Sequence, residues 1–402
     1  MSHDALAPKY VRKFQCTGSK CPDNCCHSWN VGVDPETLRG YRTNPALIAV
    51  MQDKLIDNYD LKTKESSPAY IKLNPQTGKC SLQEENGLCS LQKRFGEDAL
   101  CATCDNYPRH YKMLGNDITV TLTESCPEVA KLLIDDPEAM ELSFAPLELS
   151  KKPHASIIEE QENYADRYQL LQALLTLLRH RNISLEMRLF IAGLLVQRAQ
   201  TLLEGDDNET SMQDLCNLYF ELTNQGYFQQ QARELQKTND GALGLVILNV
   251  LVQEKPNQHA FKEELKKALD GLQITGKRPA GEEQLNKLKE AWKKHLKPFY
   301  KKQSYALENL VVNWLIRDMF PIQRQNIQDG WASIFVRYLL LRTLSSGIAL
   351  QQKSFEKQDL IRLTYRFGRG VTHSSLMDKL MLELAGKDLK SNVAFARALH
   401  LN

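Results

Sequence analysis

Hydrophobic and polar positions change their pattern about one third of the way along this chain. In YADRYQLLQALLTLLRHR, five apolar residues recur at helical spacing, namely Tyr168, Leu171, Leu174, Leu175 and Leu178. The following segment begins after Ser184, a residue type that favours helix N-termini. The same spacing predicts further helices near 209–236, 240–254, 259–272, 281–297, 304–319, 327–347, 356–367 and 374–386.

The first part of the chain lacks this periodicity and is rich in turn residues, as in NPQTGKC and EENGLCS. Only Asp117–Pro127 has the β-branched alternation of a short strand. The sequence therefore predicts a mainly α protein in three parts. A loop-rich, cysteine-bound region with little β covers 1–140, a linker covers 141–156, and a large all-α helical domain covers 157–402.

Charge and hydropathy exclude several classes of protein. The 402 residues include 51 Lys and Arg against 49 Asp and Glu, so no overall field draws the chain to nucleic acid. The N-terminal segment lacks the apolar run of a secretory signal, and no stretch has roughly 18 or more consecutive apolar residues. We therefore expect a cytoplasmic protein whose thiols are kept reduced, which disfavours disulfides.

The cysteines are confined almost entirely to the N-terminal region. Of the ten, only Cys216 lies beyond residue 126. The other nine are the candidate metal ligands: Cys16, Cys21, Cys25, Cys26, Cys80, Cys89, Cys101, Cys104 and Cys126. Because thiolates are soft ligands and loops let them converge, this clustering indicates a zinc or iron-sulfur centre. A subset of about four is expected to bind one centre, and two centres remain open.

The spacing of the cysteines leaves the kind of centre undecided. Only Cys101 and Cys104 form the close C-x2-C pair of ordinary zinc sites, and the C-x3-C-x2-C pattern of radical S-adenosylmethionine enzymes is absent. The adjacent Cys25 and Cys26 need an irregular turn to reach one metal together, because neighbouring side chains diverge in helices and strands. His27 and His110 are further candidate ligands.

Two helices outside the cysteine region carry candidate binding features. Glu282–Gln303 has an apolar stripe with Trp292 and many lysines around it, which is typical of a helix packed on a core or of one lying on an anionic membrane surface. Leu307–Pro321 has a broad apolar face and reads mainly as core. Arg337 and Arg342 on the next helix are polar groups that can line a cleft.

Four stretches resemble the flagellin lysine-N-methylases of enteric bacteria. They are CTGSKCPDNCCHSWNVGVD, GKCSLQEENGLCSLQKRFGEDALCATCDNYPRHY, ESCPEVAKLLI and YALENLVVNWLIRDMFP. The first 110 residues also resemble a class of cysteine-rich, zinc- or iron-chelating domains that share C-x-x-[FY]-P, here Cys104 to Pro108. The resemblance covers nearly the whole chain.

This resemblance implies a protein-lysine N-methyltransferase that transfers a methyl group from S-adenosyl-L-methionine to surface lysines of flagellin. It also implies a 4Fe-4S cluster on the cysteines and a cytoplasmic location, with peripheral association at the inner membrane through 282–303 as a further expectation. A homo-oligomer is compatible with the sequence.

The residues themselves assign neither a catalytic group nor a pocket for S-adenosylmethionine. No strand leads into a G-x-G-x-x-G turn, the usual nucleotide cradle of Rossmann-type methyltransferases. The carboxylates nearest in sequence to the cysteines are Asp23, Asp105 and Glu124, which are expected to be cap or turn residues more often than bases. The alternative function is a zinc- or iron-binding interaction module with structural cysteines and no methyltransferase activity.

Overall fold

The computed structural model describes residues 2–27, 29–159, 163–205, 210–236, 242–254, 256, 258–275, 281–372, 375–386, 395, 398 and 399. The chain forms two compact units. The first comprises Met1–Leu132 and Glu141–Ile158, and the second comprises Leu133–Met140 and Glu159–Asn402.

The first unit contains eight strands in two sheets. They are β1 (Ser2–Pro8), β2 (Gly32–Val33), β3 (Leu55–Asp57), β4 (Ala69–Ile71), β5 (Arg109–Leu114), β6 (Asp117–Leu122), β7 (Leu142–Glu148) and β8 (Ala155–Ile158). The larger sheet has the order β7-β1-β6-β5-β8, and the smaller has the order β2-β4-β3. Most of these strands belong to the part of the chain that carries the cysteines.

Strand content in this unit exceeds the prediction. The predicted strand over Asp117–Pro127 corresponds to β6, which pairs antiparallel with β5 and parallel with β1. The prediction of little β is wrong for the first and last segments of this unit. There β1 pairs antiparallel with β7 along its whole length. The segment predicted as a linker, 141–156, contains β7 and the start of β8.

Short helices connect the strands of the first unit. They are α1 (Lys9–Lys13), α2 (Pro35–Thr43), α3 (Pro45–Met51), α4 (Ser90–Phe95), α5 (Ala102–Asn106) and α6 (Pro127–Asp135), the last of which continues into the second unit. Asp34 caps α2 by accepting a hydrogen bond from the Thr37 backbone N–H at 2.9 Å. Loops make up much of the remainder, as the turn residues predict.

All regular elements that the structure describes from residue 163 onward are helices. They are α7 (Tyr164–Leu178), α8 (Leu185–Leu203), α9 (Met212–Asn224), α10 (Tyr227–Gln236), α11 (Ala242–Gln253), α12 (His259–Leu272), α13 (Glu282–Ala291), α14 (Lys297–Lys302), α15 (Ser304–Arg317), α16 (Ile327–Gln352), α17 (Lys357–Phe367) and α18 (Leu376–Gly386). The mainly α prediction is therefore confirmed. Residues 209, 240, 241 and 374 of the predicted helices lie outside the described residues.

Helix starts in this unit follow from capping side chains. Ser184 accepts the Met187 backbone N–H at 3.2 Å to begin α8, and Ser211 accepts the Asp214 N–H at 3.1 Å to begin α9. Asn326 accepts the Asp329 N–H at 2.9 Å to begin α16. These caps satisfy amide groups that have no partner inside a helix.

Helix α16 is the central helix of the second unit. Among the described helices it alone is long and apolar enough to span a membrane, but 89% of its most apolar window is buried. It packs closely on α12 at two glycines: a Cβ added to Gly271 would overlap the carbonyl oxygen of Gly347, and one added to Gly347 would overlap the backbone of Ala268. The burial identifies α16 as a core helix.

The basic segment 282–303 is helical but changes its winding. A π-helical turn, Trp292–Leu296, separates α13 from α14. Ala291 and Leu296 are fully buried, and the Trp292 ring lies under a guanidinium, so the apolar stripe packs on the rest of the unit. Peripheral membrane association through this segment stays a prediction, and no described contact supports it.

Helix α15 confirms that Leu307–Arg317 is core, since all of these residues are buried. Its polar residues are held by specific partners. Asn309 donates to the carbonyl oxygens of Leu133 and Asp136 at 2.8 and 2.9 Å. Glu308 forms two ion pairs. Its Oε1 lies 2.7 Å from Arg181 Nη2, and its Oε2 lies 2.7 Å from Arg188 Nη1.

Candidate metal centre

The nine cysteines singled out by the sequence all lie in the first unit. Cys80 and Cys101 are buried in its small hydrophobic core, and Cys26, Cys89 and Cys104 pack against that core. Cys216 is buried on α9 in the second unit, apart from the others. None of the ten forms a disulfide.

Backbone pairing in the loops brings distant cysteines together. The Cys80 N–H donates to the Cys26 carbonyl oxygen at 2.8 Å, and the Gln83 N–H donates to the Cys80 carbonyl oxygen at 3.0 Å. Gln83 and Cys89 then form an antiparallel bridge. These bonds place three cysteines from separate sequence segments around one point.

A short helix supplies two more thiols. Cys101 is the N-cap of α5, and its carbonyl oxygen accepts the Asp105 N–H at 3.0 Å. Cys104 lies in the first turn of the same helix, and its side chain is hydrogen-bonded to that of Cys101. The C-x2-C pair is thus assembled by one helical turn.

The adjacent Cys25 and Cys26 belong to the same group of thiols. Cys26 is hydrogen-bonded to Cys25, and this bond, with burial and the neighbouring Cys80 and Cys89, strongly raises the pKa of Cys26. The hydrogen bond from Cys101, burial, and the charges of Cys25 and Cys26 likewise raise the pKa of Cys104. Both adjacent cysteines therefore lie near enough to Cys104 to raise its pKa. The chain around them is an irregular turn, which allows both side chains to face the C-x2-C pair.

We call this group the thiol cluster, and it consists of Cys25, Cys26, Cys80, Cys89, Cys101 and Cys104. Burial raises the pKa of Cys80, and the neighbouring thiols Cys89, Cys101 and Cys25 raise it further. Neighbouring ionised thiols repel one another, so the protonated forms of Cys26, Cys80 and Cys104 are favoured.

Cys101 is the exception in the thiol cluster. The hydrogen bond from Cys104 lowers its pKa, and although burial opposes this, the Cys104 backbone N–H and the Lys152 cation lower it further. Lys152 is fixed by hydrogen bonds from its Nζ to the Leu100 carbonyl oxygen at 2.6 Å and to Thr37 Oγ1 at 3.1 Å. The thiolate of Cys101 therefore forms more readily than those of Cys26, Cys80 and Cys104.

Of the remaining three predicted cysteines, Cys126 borders the thiol cluster at Cys25. Burial raises the pKa of Cys126 to about 12, and the neighbouring Cys21 and Cys25 contribute to the rise. Cys21 donates to the Asp23 carbonyl oxygen at 3.4 Å. Cys16 is exposed.

In the part of the chain that the structure describes, no three His, Cys, Asp or Glu side chains are arranged to hold a metal ion. The thiols of the cluster are therefore close to one another, but they are not arranged in the geometry of a metal site. Its chemistry is that of a soft-metal site, because all six donors are thiols and their mutual repulsion would fall on binding a cation.

The histidines and carboxylates considered from the sequence have structural partners. His27 Nε2 lies 2.8 Å from Asp23 Oδ1. Asp105 accepts the Lys152 N–H at 2.5 Å, and Glu124 is fully buried.

A cavity of about 360 Å³ lies directly beside α5. It is lined by residues that include Asp34, Thr103, Asn106, His110 and His154. Burial raises the pKa of the Asp34 carboxyl, but hydrogen bonds from the backbone N–H groups of Ala102 and Thr37 outweigh burial and lower it. An ionised carboxylate and two imidazoles thus border a cavity next to the C-x2-C pair.

Arg109 lines this cavity and also a second one of about 510 Å³. Its guanidinium lies 5.4 Å from the centroid of the Phe14 ring. The cation that lowers a cysteine pKa near the cavity is Lys152, which acts on Cys101.

Sequence reasoning missed three residues around the thiol cluster. Lys152 was part of the predicted linker, and Asp34 was read only as part of a family-like stretch. Tyr41 is buried beside the thiols, where burial and the charges of Cys101 and Cys104 raise its pKa, and it donates to the Ala99 carbonyl oxygen at 2.7 Å. The N-cap pattern Asp34-Pro35 was the one available signal, and it indicated a helix start only.

Comparison with known proteins places this chain in a family of lysine methylases. The family model for the FliB lysine N-methylase C-terminal domain matches residues 172–396, more than half of the chain. The chain therefore belongs to the FliB lysine N-methylase family. No solved structure matches the chain.

Two similar relatives are proteins named Lysine-N-methylase, from Salmonella choleraesuis (strain SC-B67) and Salmonella typhimurium (strain LT2). Each is 25% identical over 388 residues, which is 92% of this chain and 92% of the relative. A third, the flagellar biosynthetic protein FliU of Salmonella muenchen, is 35% identical over 137 residues, or 34% of this chain and 79% of the relative.

Proposed function

We propose that this protein is a protein-lysine N-methyltransferase that transfers the methyl group of S-adenosyl-L-methionine to surface lysines of flagellin. The observation that carries the proposal is the similarity, over 92% of both chains, to proteins named Lysine-N-methylase. The similarity to a protein named for flagellar biosynthesis supports flagellin as the substrate, and the reaction would take place in the cytoplasm before flagellin is exported.

The proposal includes a 4Fe-4S cluster on four members of the thiol cluster. The donor set supports it: six thiols from four sequence segments gather, their neighbours raise the pKa of Cys26, Cys80 and Cys104, and a bound iron centre would stabilise the ionised forms. When bound, such a cluster supplies iron with Lewis-acid or redox chemistry. We expect Cys101, whose pKa is lowered, to ionise more readily than Cys26, Cys80 and Cys104.

The lysine amine must be neutral to attack, so its proton has to pass to a base. In the transfer, the amine nitrogen forms a bond to the methyl carbon, and the bond between sulfur and that carbon breaks. S-adenosylhomocysteine leaves with the bonding pair, and the proton lost by nitrogen goes to the base.

Co-expression tests this proposal. The full chain is produced with flagellin in a host that does not methylate flagellin, and flagellin peptides are mapped by mass spectrometry. We expect methyl-lysine on surface lysines of flagellin only when the chain is present. Flagellin with unmodified lysines in both samples would refute the proposal. A colourless, zinc-loaded protein without this activity would instead match an interaction module.

A further inference from the structure

Arg342 is a buried cation whose terminal N–H groups lack a partner among the described residues, although its side chain is hydrogen-bonded to Tyr338. It lies on α16 in the helical unit and is 4% exposed. Neither Nη1 nor Nη2 has a hydrogen-bond partner among the residues that the structure describes. Its guanidinium stacks on Trp292, 3.9 Å from the ring centroid. Stacking replaces only part of the lost hydration, because it leaves the terminal N–H groups unsatisfied.

Arg337, five residues earlier on the same helix, is the contrasting case. It is 8% exposed, and its Nη1 lies 2.7 Å from Asp318 Oδ2. Its guanidinium also faces a tryptophan, 6.0 Å from the Trp314 ring centroid. Among the described residues, Arg337 thus has a carboxylate at ion-pair distance, whereas Arg342 has none. An anionic ligand would complete the site of Arg342.

Two cavities meet at Trp292. The smaller, of about 30 Å³, is lined in part by Arg342, Thr343 and Ser346. The larger, of about 360 Å³, is lined in part by Glu186, Lys297, Tyr300 and Lys301. A volume of that size falls in the range of roughly 300–1,000 Å³ that is usual for small-molecule sites. Trp292 itself begins the π-helical turn, a distortion that often accompanies functional sites.

Further donors lie at the larger cavity. Tyr300 lines it. Burial raises the pKa of Tyr300, whereas a hydrogen bond with the fully buried Ser345 and the charge of Arg342 oppose that rise. The Glu186 carboxylate accepts the Tyr338 hydroxyl at 3.2 Å. The set is rich in donors and has one carboxylate acceptor.

The chemistry of the lining selects a class of ligand. Trp292 and Tyr300 have ring centroids 6.1 Å apart and offer flat apolar surface to a planar ring. The donors at Arg342 and Tyr300 suit a carboxylate or phosphate, and Lys297 and Lys301 add positive charge. Glu186 can accept hydrogen bonds from hydroxyl groups, such as those of a ribose.

We propose that the cavity around Trp292 binds a nucleoside-type ligand that carries a carboxylate, with the carboxylate on Arg342 and the planar ring against Trp292 and Tyr300. Under the proposed function, that ligand is S-adenosylmethionine, so this inference rests on that function. It assigns the methyl donor to the helical unit without any glycine-rich nucleotide turn.

Calorimetric titration of the full chain with S-adenosyl-L-homocysteine tests the proposal, since this ligand binds without being consumed. We expect saturable binding by the wild type and binding at least tenfold weaker by Arg342→Met. The same variant should melt at a higher temperature without ligand, because it removes an unpaired buried charge. Arg337→Met is the matched control: it should melt at a lower temperature, because Asp318 loses a partner, while its affinity stays within about threefold of wild type.

Two more ligands identify the group that Arg342 recognises. Adenosine, which has no carboxylate, should bind wild type and Arg342→Met alike. Adenosine monophosphate should bind more weakly than S-adenosylhomocysteine, whereas tighter, Arg342-dependent binding of the phosphate would overturn the carboxylate assignment. Absent binding of S-adenosylhomocysteine, or equal binding by wild type and Arg342→Met, would overturn the site. Arg342-dependent binding without flagellin methylation would leave this inference standing and refute the proposed function. Methylation with Arg342-independent binding would do the reverse.

Discussion

The backbone N–H of Cys80 donates to the carbonyl oxygen of Cys26 over 2.8 Å. This bond joins the N-terminal run of cysteines to the later ones, and it sets the thiols of Cys26 and Cys80 near each other. A metal at this point would therefore draw ligands from both ends of the cysteine region, and loss of a ligand from either end should release it.

Metal retention should distinguish the thiol cluster from the other cysteines. After anaerobic reconstitution with iron and sulfide, Cys26→Ala and Cys104→Ala should lose most bound iron and the visible absorbance of the cluster, because each removes a clustered thiol. Cys216→Ala is the control, since Cys216 is buried in the other unit and should have no effect on iron content. Equal iron loss from all three variants, or full iron content in Cys26→Ala and Cys104→Ala together, would contradict the assignment.

The sequence predicts those elements whose stabilising partners lie nearby in the chain, and it misses those whose partners are distant in sequence. Helices such as α8 and α16 follow from apolar spacing and a capping Ser or Asn, all within a few residues. Strand β1 does not, because SHDALAP has no alternation of β-branched residues and is extended through its pairing with β7. The Lys-Lys-Pro stretch looks like a linker locally, yet Lys152 reaches Thr37 and Leu100.

The sequence likewise predicts only part of the candidate site. Counting and clustering identify the nine cysteines, but not which six gather, since that depends on loop bridges such as Gln83 with Cys89. The sequence also indicated that Arg337 and Arg342 can line a cleft. Which of them has an anion follows only from the fold, because Asp318 reaches Arg337 from the end of α15.

Glu308 should be a major determinant of stability in the helical unit. It is 1% exposed and neutralises both Arg181 and Arg188, so Glu308→Gln leaves two guanidiniums without their anion. We expect a loss of roughly 3–5 kcal/mol in the free energy of unfolding, measured by denaturant titration. Glu290→Gln removes an exposed pair with Lys294 and should change nothing measurable. Similar stabilities for the two variants would rule out this role.

Acid sensitivity should depend on Asp318. Burial raises the pKa of this carboxyl, but Arg317 and Arg337 together lower it far more, so its folded pKa is below the unfolded value of about 3.9. The stability it contributes is complete above the unfolded value and is lost progressively as the pH falls from there through the lower folded pKa. Between pH 5 and pH 3, the wild type should lose about 1 kcal/mol more unfolding free energy than Asp318→Asn. Parallel pH profiles for the two proteins would contradict this linkage.

The crossing of α12 and α16 should tolerate no side chain at Gly347. Because a Cβ there would overlap the backbone of Ala268, Gly347→Ala must push the helices apart. We expect a loss of at least about 1–3 kcal/mol in the free energy of unfolding. Gly40→Ala on α2, where an added Cβ meets nothing within 4 Å, should be neutral or stabilising. A thermal melt of Gly347→Ala that matches wild type would show that this crossing is not tight.

Methyl transfer by the purified protein tests the central claim most directly. Anaerobically reconstituted wild type, Cys104→Ala and Cys216→Ala are each incubated with unmodified flagellin and S-adenosylmethionine that carries an isotopically labelled methyl group, and lysine peptides are analysed by mass spectrometry. We predict labelled methyl-lysine with the wild type and with Cys216→Ala, and little or none with Cys104→Ala. Unlabelled flagellin in every sample would contradict the assignment as a lysine methyltransferase. Full labelling by Cys104→Ala would contradict the role of the thiol cluster.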